Sequence, residues 1–584
     1  MLRTHHCGEL RKSDVGKEVT LCGWVDTRRD HGGLIFIDVR DRWGVTQIVF
    51  NPAVSKELHA KAEQLRSEFV VQARGKVTDR PSGTENPKLP TGQIEVVAGE
   101  LEILNTSPTP PFEISGTEAL SEEIRLKYRF LDIRRPAMMK NLVTRHKVTQ
   151  IAREYFNGLQ FIEVETPYLT KSTPEGARDF LVPARLSPGE FYALPQSPQL
   201  FKQILMVSGI DRYFQIVRCF RDEDLRADRQ LEHTQIDVEM SFVNEEDILG
   251  VIENLIAKVV KGILGLEVKT PFLRMPYEEA MNRYGSDKPD LRFGMELNDI
   301  TGILKGSQSK IFEESFAKGG VAKGILVPGA ASFSRKDLDD LTQYAKDFGA
   351  QGLAWFKVQD AVDSPIRKFF SDEQMNRLTG ELGAEKGGLI LVVTGDWKMV
   401  CTVLGAVRLH LAQKLNLIAR DKVSFHWVVD FPLFEWNDEE KRIQACHHPF
   451  TSPQPRDLHL LESEPLKVHA RAYDLIFNGT EAGGGSIRIH SRDVQKKVFG
   501  ILGIEDKDAE EKFGFLLKAL EFGAPPHGGI ALGLDRLTAL LLGLDSIRDV
   551  IAFPKTQKGI CPLSQAPSPV SARQIKELHL TLKA

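Results

Sequence analysis

A multidomain α+β chain is what this sequence predicts: a small barrel first, then a body of mixed strands and helices, with an α/β segment inserted in that body. Three observations carry the expectation. Five strand-like runs (19–25, 34–39, 45–50, 69–77 and 93–97) fill the first hundred residues, with a helical pattern on Leu58, Ala62 and Leu65 between the third and fourth. A proline-rich stretch, Thr106 to Pro111, closes that block. Much later, residues 288–420 carry Gly319-Gly320, Gly387-Gly388 and helices of their own, between two strand-rich stretches. The expected division is therefore 1–105, 106–140, 141–287, 288–420 and 421–584.

Taken in order, five strands with a helix in that position form the pattern of an OB-fold, whose second and third strands commonly meet oligonucleotides. Phe36 and Gln47 lie on those two strands, and Arg28, Arg29, Arg40 and Arg42 flank them. An aromatic among arginines suits base stacking, although a core position explains Phe36 equally well. The segment after the prolines is basic, with Arg125, Lys127, Arg129, Arg134, Arg135, Lys140, Arg145 and Lys147. A solvated helical face is its plain reading, and a hinge against a phosphate backbone the alternative. Beyond it a helix leads to a strand over 161–167 that ends at Pro167. After the insertion, Trp427-Val-Val-Asp-Phe-Pro-Leu-Phe resumes the strand-rich style.

Bulk properties exclude several classes. The 584 residues are 42% hydrophobic and 27% charged, which is ordinary globular composition. A formal net charge of -4 rules out a polycation, so a nucleic acid must be held by local basic patches. Six cysteines (7, 22, 219, 401, 446 and 561) make no CxxC pair, which fits a reducing cytoplasm rather than a disulfide framework or zinc ribbon. The first residues lack the apolar core of a secretory signal, and apolar runs such as 389–393 and 537–542 are too short to span a bilayer. The expectation is a cytoplasmic protein with no membrane partner.

The chemistry is concentrated in two distant segments. One begins Arg221-Asp-Glu-Asp and runs through a doubly charged loop to Thr234-Gln-Ile-Asp237; the other is Gly528-Gly-Ile-Ala-Leu-Gly-Leu-Asp-Arg536. Guanidinium groups bind phosphate oxygens in a bidentate way and stay charged at any biological pH. Two such arginines suggest one nucleotide clamped from two sides. Neither the Gly-x-x-x-x-Gly-Lys-Ser/Thr loop nor the Gly-x-Gly-x-x-Gly fingerprint is present.

Together these segments resemble the class II aminoacyl-tRNA synthetases, specifically the bacterial aspartyl type, over essentially the whole chain. Motif 1 resembles the helix and strand ending at Pro167, motif 2 is Phe220-Arg221-Asp222-Glu223 with its loop and returning strand, and motif 3 is Gly533-Leu534-Asp535-Arg536. The resemblance implies an antiparallel catalytic sheet, a homodimer built through motif 1 and an insertion typical of the bacterial branch. It implies activation of L-aspartate by ATP and transfer of the aspartyl group to tRNA(Asp). Arg221 would bind the α-phosphate, and Arg536 the terminal phosphates. Asp222, Glu223, Gln230, His233, Glu481, Gly533, Leu534 and Asp535 complete the implied ATP site. Asp474 and Glu481 look like Mg2+ ligands, since hard divalent ions take carboxylate and phosphate oxygens.

For the amino acid, Lys202 and Arg488 resemble the charges that meet the aspartate side chain. Against asparagine both would be left unpaired, at roughly 1.5–3 kcal/mol for each lost charged bond. Gln199 and Asp237 resemble the residues that take the α-amino group, Glu175 the acid of a mobile loop, and His447 a wall of the aspartate pocket. Cys446-His447-His448 offers too few convergent ligands for zinc. In one departure, His233 stands where the family usually has a phenylalanine stacked on adenine. A protonatable ring there predicts an ATP affinity that weakens from pH 8 to pH 6.

Two loops, around His31 and around Ser82, resemble those beside the third anticodon letter, with Arg29, Phe36 and Gln47 on the same barrel. Leucine in place of His31 and lysine near Ser82 accompany rejection of tRNA(Asn). Their absence resembles the relaxed kind that charges both tRNAs, whose mischarged product needs a tRNA-dependent amidotransferase. The alternatives are an enzyme strict for tRNA(Asp) and, in a different class, an inactive RNA-binding paralogue. A paralogue of that kind typically loses a phosphate arginine or a magnesium acid, and Arg221, Glu223, Asp474, Glu481 and Arg536 are all present.

Overall fold

A computed structural model of the chain describes residues 1–582 apart from 117, 174–176 and 226–227. The chain divides into two compact units: Met1–Arg145 with Arg548–Pro569, and His146–Ile547 with the residues from 570 onward. This division does not follow the five segments expected from sequence, because 548–569 is grouped with the barrel and the basic stretch.

In the first unit the strands Glu18–His31, Leu34–Asp41, Gly44–Phe50, Val70–Asp79 and Ile94–Asn105 close a barrel in the order first, second, third, fifth, fourth. Strict alternation sets what is inside. Ile35, Ile37 and Val39 face the core with Leu21, Val25, Ile48 and Val71, while Phe36 and Asp38 point outward. The helix Lys56–Glu63 starts on Ser55, whose side chain accepts from the Leu58 amide, and buries Ala62.

The basic stretch is divided: Lys127, Lys140 and Lys147 are exposed, as a solvated face would have them, whereas several arginines are engaged within the unit. Arg129 is 2% exposed; it pairs with Asp132 at 2.6 Å and donates to the carbonyls of Arg548, Ile551 and Ala552 at 2.8–2.9 Å. Arg125 reaches Asp132 and Asp549, and Arg134 reaches Glu68, which also holds Arg40. Arg125 and Arg129 fasten 548–552 to the unit, and Arg134 holds to the barrel through Glu68.

The second unit is built on an eight-stranded sheet. Its centre is antiparallel: Val429 to Phe425 pairs with Ala472–Phe477, then Thr480–Ile487, His527–Gly533, Glu232–Ser241 and Arg212–Phe220 follow. Both edge pairs are parallel, Leu273–Pro276 against Phe425–Val429 and Ile162–Glu163 against Arg212–Phe220. The 161–167 strand is thus shorter than expected. One more backbone bond, Val164 to Phe214, follows, and Pro167 has no N–H with which to continue the ladder. The helix Glu245–Leu264 packs Ile248, Ile252, Leu255, Ile256 and Val259 on the sheet's core side, a spacing of one helical face. The insertion carries its own five-stranded antiparallel sheet within Asn298–Gly395, with separate apolar clusters on its two faces.

Arg129→Ala should cost about 1–3 kcal/mol locally, since three carbonyls lose a buried donor while Asp132 keeps Arg125. Amide hydrogen exchange checks it: protection at 129–133 and 550–552 should fall, while the strands Glu232–Ser241 and His527–Gly533 keep theirs.

Candidate active site

Period-two geometry builds one wall of the site. On Glu232–Ser241, the side chains of Ile236, Val238 and Met240 enter the apolar core, so His233, Gln235, Asp237 and Glu239 share the other face. Asp237 lies opposite Ala531 and Glu239 opposite Gly529 on the neighbouring strand. Glycine is required there: a Cβ on Gly529 would stand 2.0 Å from the Val238 carbonyl oxygen and 2.1 Å from Glu239 Oε2. The helix Gln199–Val207 brings Gln199 and Lys202 over the same face, and Arg488 follows directly on Thr480–Ile487.

Four buried charges meet at this point. Lys202 Nζ lies 2.8 Å from Asp237 Oδ1 and 3.1 Å from Glu239 Oε2. Arg488 donates Nε and Nη2 to the two oxygens of Glu239 at 3.0 and 3.2 Å, and Nη1 to Ser486 Oγ at 2.8 Å. None of the four charged residues is more than 4% exposed. Burial pushes the Asp237 carboxyl up to about 6, against the pull of Lys202. Burial acts the same way on Glu239, but Arg488 and then Lys202 outweigh it and bring it down to about 2. The two cations are therefore already paired with protein acids, so asparagine would not leave them wholly unpaired. Glu239, the hub of the cluster, was missed; its signal was its place two residues beyond Asp237 on a strand whose alternate residues face the core.

A cleft of about 530 Å³ opens over the cluster and is also lined by Arg221, Glu223, Gln230, His233, Glu481 and Arg536. Arg536, in the first turn of the helix Leu534–Leu541, donates Nη1 to the Glu481 carbonyl at 2.8 Å and Nη2 to Asp228 at 3.3 Å. The Nε atoms of Arg221 and Arg536 and Nε2 of Gln199 are buried donors with no acceptor among the described residues. Glu223 holds Arg229 at 3.1 Å, and Gln230 is buried. A Cβ on Gly533 would meet nothing closer than 3.5 Å, so neither strain nor crowding within the protein calls for glycine at this rim.

Of the remaining expected ATP residues, Asp535 lines the cleft, whereas Leu534 and Asp222 do not. Leu534 is 1% exposed and packed in the core, away from the cleft. Asp535 accepts the Thr234 amide at 2.8 Å and thereby ties the helix to the strand. Asp222 lies 3.6 Å from Arg178 and does not line the cleft. Glu175 lies outside the described residues.

Asp474 and Glu481 come together across Gly484, where an added Cβ would stand 2.5 Å from Asp474 Oδ1 and 3.5 Å from Glu481 Oε1. Burial and then the Asp474 charge raise the Glu481 pKa, against the pull of Arg536, Lys288 and His447. His447 Nε2 lies 3.7 Å from Asp474 Oδ2. Burial lowers the pKa of His447, but the Asp474 hydrogen bond and charge prevail and raise it. Cys446, His447 and His448 assemble no metal set: among the described residues no three His, Cys, Asp or Glu groups converge.

His233 corrects an expectation. Burial, followed by the charges of Arg221, Arg536 and Arg218, pushes its imidazole down to about 3. The ring is neutral throughout pH 6–8, so it gives no reason for ATP affinity to weaken over that interval.

With this geometry in place, comparison is informative. A family model described as tRNA synthetases class II (D, K and N) matches residues 121–557. The chain belongs to the class II tRNA synthetases. An OB-fold nucleic acid binding domain model matches residues 19–104 of the synthetase. The aspartate–tRNA(Asp/Asn) ligase of Persephonella marina is 59% identical over 99% of this chain and 97% of its own length. That of Aquifex aeolicus is 56% identical over 99% of this chain and 98% of its own. Among solved structures, asparaginyl-tRNA synthetase from Pyrococcus horikoshii with asparaginyl-adenylate aligns with a TM-score of 0.60 at 22% identity, covering 95% of this chain and 99% of that one. This last likeness is one of fold.

On the synthetase's barrel, Arg29 and Phe36 are cross-strand partners, and Asp38 pairs with Gln47. Arg29 reaches both oxygens of Asp38 at 2.9–3.0 Å and Gln47 Oε1 at 3.1 Å; Gln47 Nε2 in turn donates to Glu95 at 2.8 Å. Phe36 is half-buried on the outer face, which removes the core reading. His31 is exposed beside a turn whose Gly32 and Gly33 have φ of 61° and 79°. Ser82 is exposed in the separate loop between the last two barrel strands.

The neutrality of His233 is checked by imidazole 15N NMR, with the His233 signals assigned by their loss in His233→Phe. They should not move between pH 6 and pH 8; a midpoint near 6.5 would contradict the cationic surroundings described above.

Proposed function

We propose that this synthetase is an aspartate–tRNA ligase that activates L-aspartate with ATP and charges tRNA(Asp) and tRNA(Asn). The observation that carries the reading is the buried pair Lys202–Arg488 in the cleft shared with Arg221 and Arg536. An ammonium has three donors and a guanidinium five. Asp237, Glu239 and Ser486 occupy some of them, and the remainder suit a side-chain carboxylate. The amide nitrogen of asparagine would present its own donors to these donors, and a lysine side chain would meet two cations. Full-length relatives at 54–59% identity, all called aspartate–tRNA(Asp/Asn) ligase, support the same reading and its inclusion of tRNA(Asn).

On this reading Asp237 and Gln199 hold the α-amino group, and His447 borders the pocket. The α-carboxylate is already ionised near neutral pH, so the first step needs no protein base. Its difficulty is approach to an anion, which Arg221 relieves at the α-phosphate while Arg536 holds the terminal phosphates. The adenine end meets Glu223, Gln230 and His233, whose neutral ring offers a flat face. Asp474 and Glu481 would hold Mg2+, which when bound neutralises phosphate charge. The aspartyl group then passes to the terminal adenosine of the tRNA, whose anticodon meets the barrel face of Arg29, Phe36 and Gln47, with His31 and Ser82 setting tolerance at the third letter. A homodimer, a cytoplasmic location and a tRNA-dependent amidotransferase acting on Asp-tRNA(Asn) belong to the same proposal.

Charging assays with both purified tRNAs test the reading. Aspartate should be esterified to each, and failure on tRNA(Asn) alone would return the enzyme to the strict type. Asp237 supplies a pH test. Its carboxyl must be ionised to hold the ammonium, and its folded pKa is pushed up to about 6. Protonation on going down through pH 6 therefore removes the anchor. In pyrophosphate exchange, kcat/KM for aspartate should fall by about tenfold per pH unit below 6. In Asp237→Asn it should be low and level from pH 5 to pH 7.

A further inference from the structure

A second cleft, of about 970 Å³, continues from the active site and shares Asp228, Arg536 and Ile547 with it. It lies between the motif 3 helix Leu534–Leu541 and the end of the insertion, where the helix Trp397–Lys414 gives way to the return strand Phe425–Val429. The helix ends at Asn416, whose φ of 55° is a left-handed conformation that asparagine tolerates, and the Leu417 amide bonds back to the Ala412 carbonyl. That turn brings Ile418 and Arg420 to the cleft wall.

The lining is rich in donors, with Arg292, Arg420, Asn478, Thr480 and Arg536 among them. Two of the three arginines are engaged. Arg292 is bound to both oxygens of Asp290 at 2.7–3.2 Å, and Arg536 to Glu481 and Asp228. Arg420 is exposed, and no acceptor pairs with its side chain among the described residues.

We propose that this cleft is the exit for pyrophosphate and that Arg420 is the cation that receives it beyond Arg536. The proposal rests on the reading of the site given above. In the activation step an aspartate carboxylate oxygen bonds to the α-phosphorus as the bond from that phosphorus to the bridging oxygen breaks. Pyrophosphate departs with that oxygen and its electron pair. An in-line displacement sends it away from the attacking group, hence away from Lys202 and Asp237 and past Arg536. A highly charged anion leaves one arginine readily only if another cation shares it. The volume far exceeds what pyrophosphate fills, which suits a path and not a fitted pocket. Arg536, the residue proposed to grip the terminal phosphates, forms its mouth.

The test uses the full chain with Arg420→Ala, Arg420→Glu and Arg420→Lys in aspartate-dependent ATP–pyrophosphate exchange without tRNA. Pyrophosphate and ATP are varied separately. KM for pyrophosphate should rise about tenfold in Arg420→Ala, the worth of one charge-assisted contact. It should rise further in Arg420→Glu and stay close to wild type in Arg420→Lys, with KM for ATP changing less than about twofold. An unchanged KM for pyrophosphate in both Ala and Glu variants overturns the proposal. So does a rise confined to KM for tRNA in the charging reaction, which would assign the cleft to the tRNA end. Absence of exchange in the wild-type chain would overturn the reading of the site itself, and this proposal with it.

Discussion

The hydrogen-bonded cluster of Lys202, Asp237, Glu239 and Arg488 is the constraint on which the rest of the site depends. Each buried ion costs several kcal/mol of lost hydration, and the charges coexist only because they sum to zero at hydrogen-bond distance. Removing any one leaves an uncompensated charge in the core. The backbone must therefore fix all four positions at once. Strand pairing fixes Asp237 and Glu239, the bare Gly529 makes room for Glu239, and the Arg488 amide bonds to the His527 carbonyl at 2.9 Å. Stability and recognition cannot be separated here: the geometry that balances the charges also decides which donors stay unused.

The same logic extends to the phosphate half. Buried donors on Arg221, Arg536 and Gln199 without acceptors, and two acids meeting over Gly484 with a histidine 3.7 Å from one of them, are each unfavourable alone. Together they describe a partner that supplies anionic oxygens and a hard cation, as a magnesium-bound triphosphate does. What looks like incomplete hydrogen bonding in the free chain is thus an imprint of the proposed substrate.

How far the sequence could be read depended on whether one face of each element met water. The barrel was legible because its strands alternate, as Ile35, Phe36, Ile37 and Asp38 do. Ala472–Phe477 is buried at all six positions, so alternation could not mark it as a strand. The strand near Pro167 was overextended because pattern reports propensity, not which partner strand is available. Arg221 and Arg536 were legible as motif residues, but their effect on His233 was not. That shift comes first from burial and then from Arg221, Arg536 and Arg218 around one ring, and Arg536 is remote in the chain. Arg129 misled for the same reason: a basic stretch looks like a solvated face until carbonyls from residues 548–552 are seen to fill its donors.

Electrostatic asymmetry across the cleft gives the proposed reaction its direction. On the amino-acid side the charges cancel, so an incoming aspartate meets oriented donors without a net field that would trap it. On the phosphate side Arg221 and Arg536 keep unused donors, and beyond Arg536 the second cleft, which Asp228 and Asp545 also line, carries Arg420. Negative charge migrates during adenylate formation from the attacked phosphorus to the departing pyrophosphate. Cations placed along that path stabilise the charge where it arrives, not where it began, which is the condition for lowering a barrier and not merely for binding. A neutral nucleophile pocket and a cationic leaving-group side are therefore two parts of one arrangement. Had the cluster around Glu239 carried net positive charge, it would have competed for the phosphates and held ATP in the wrong register.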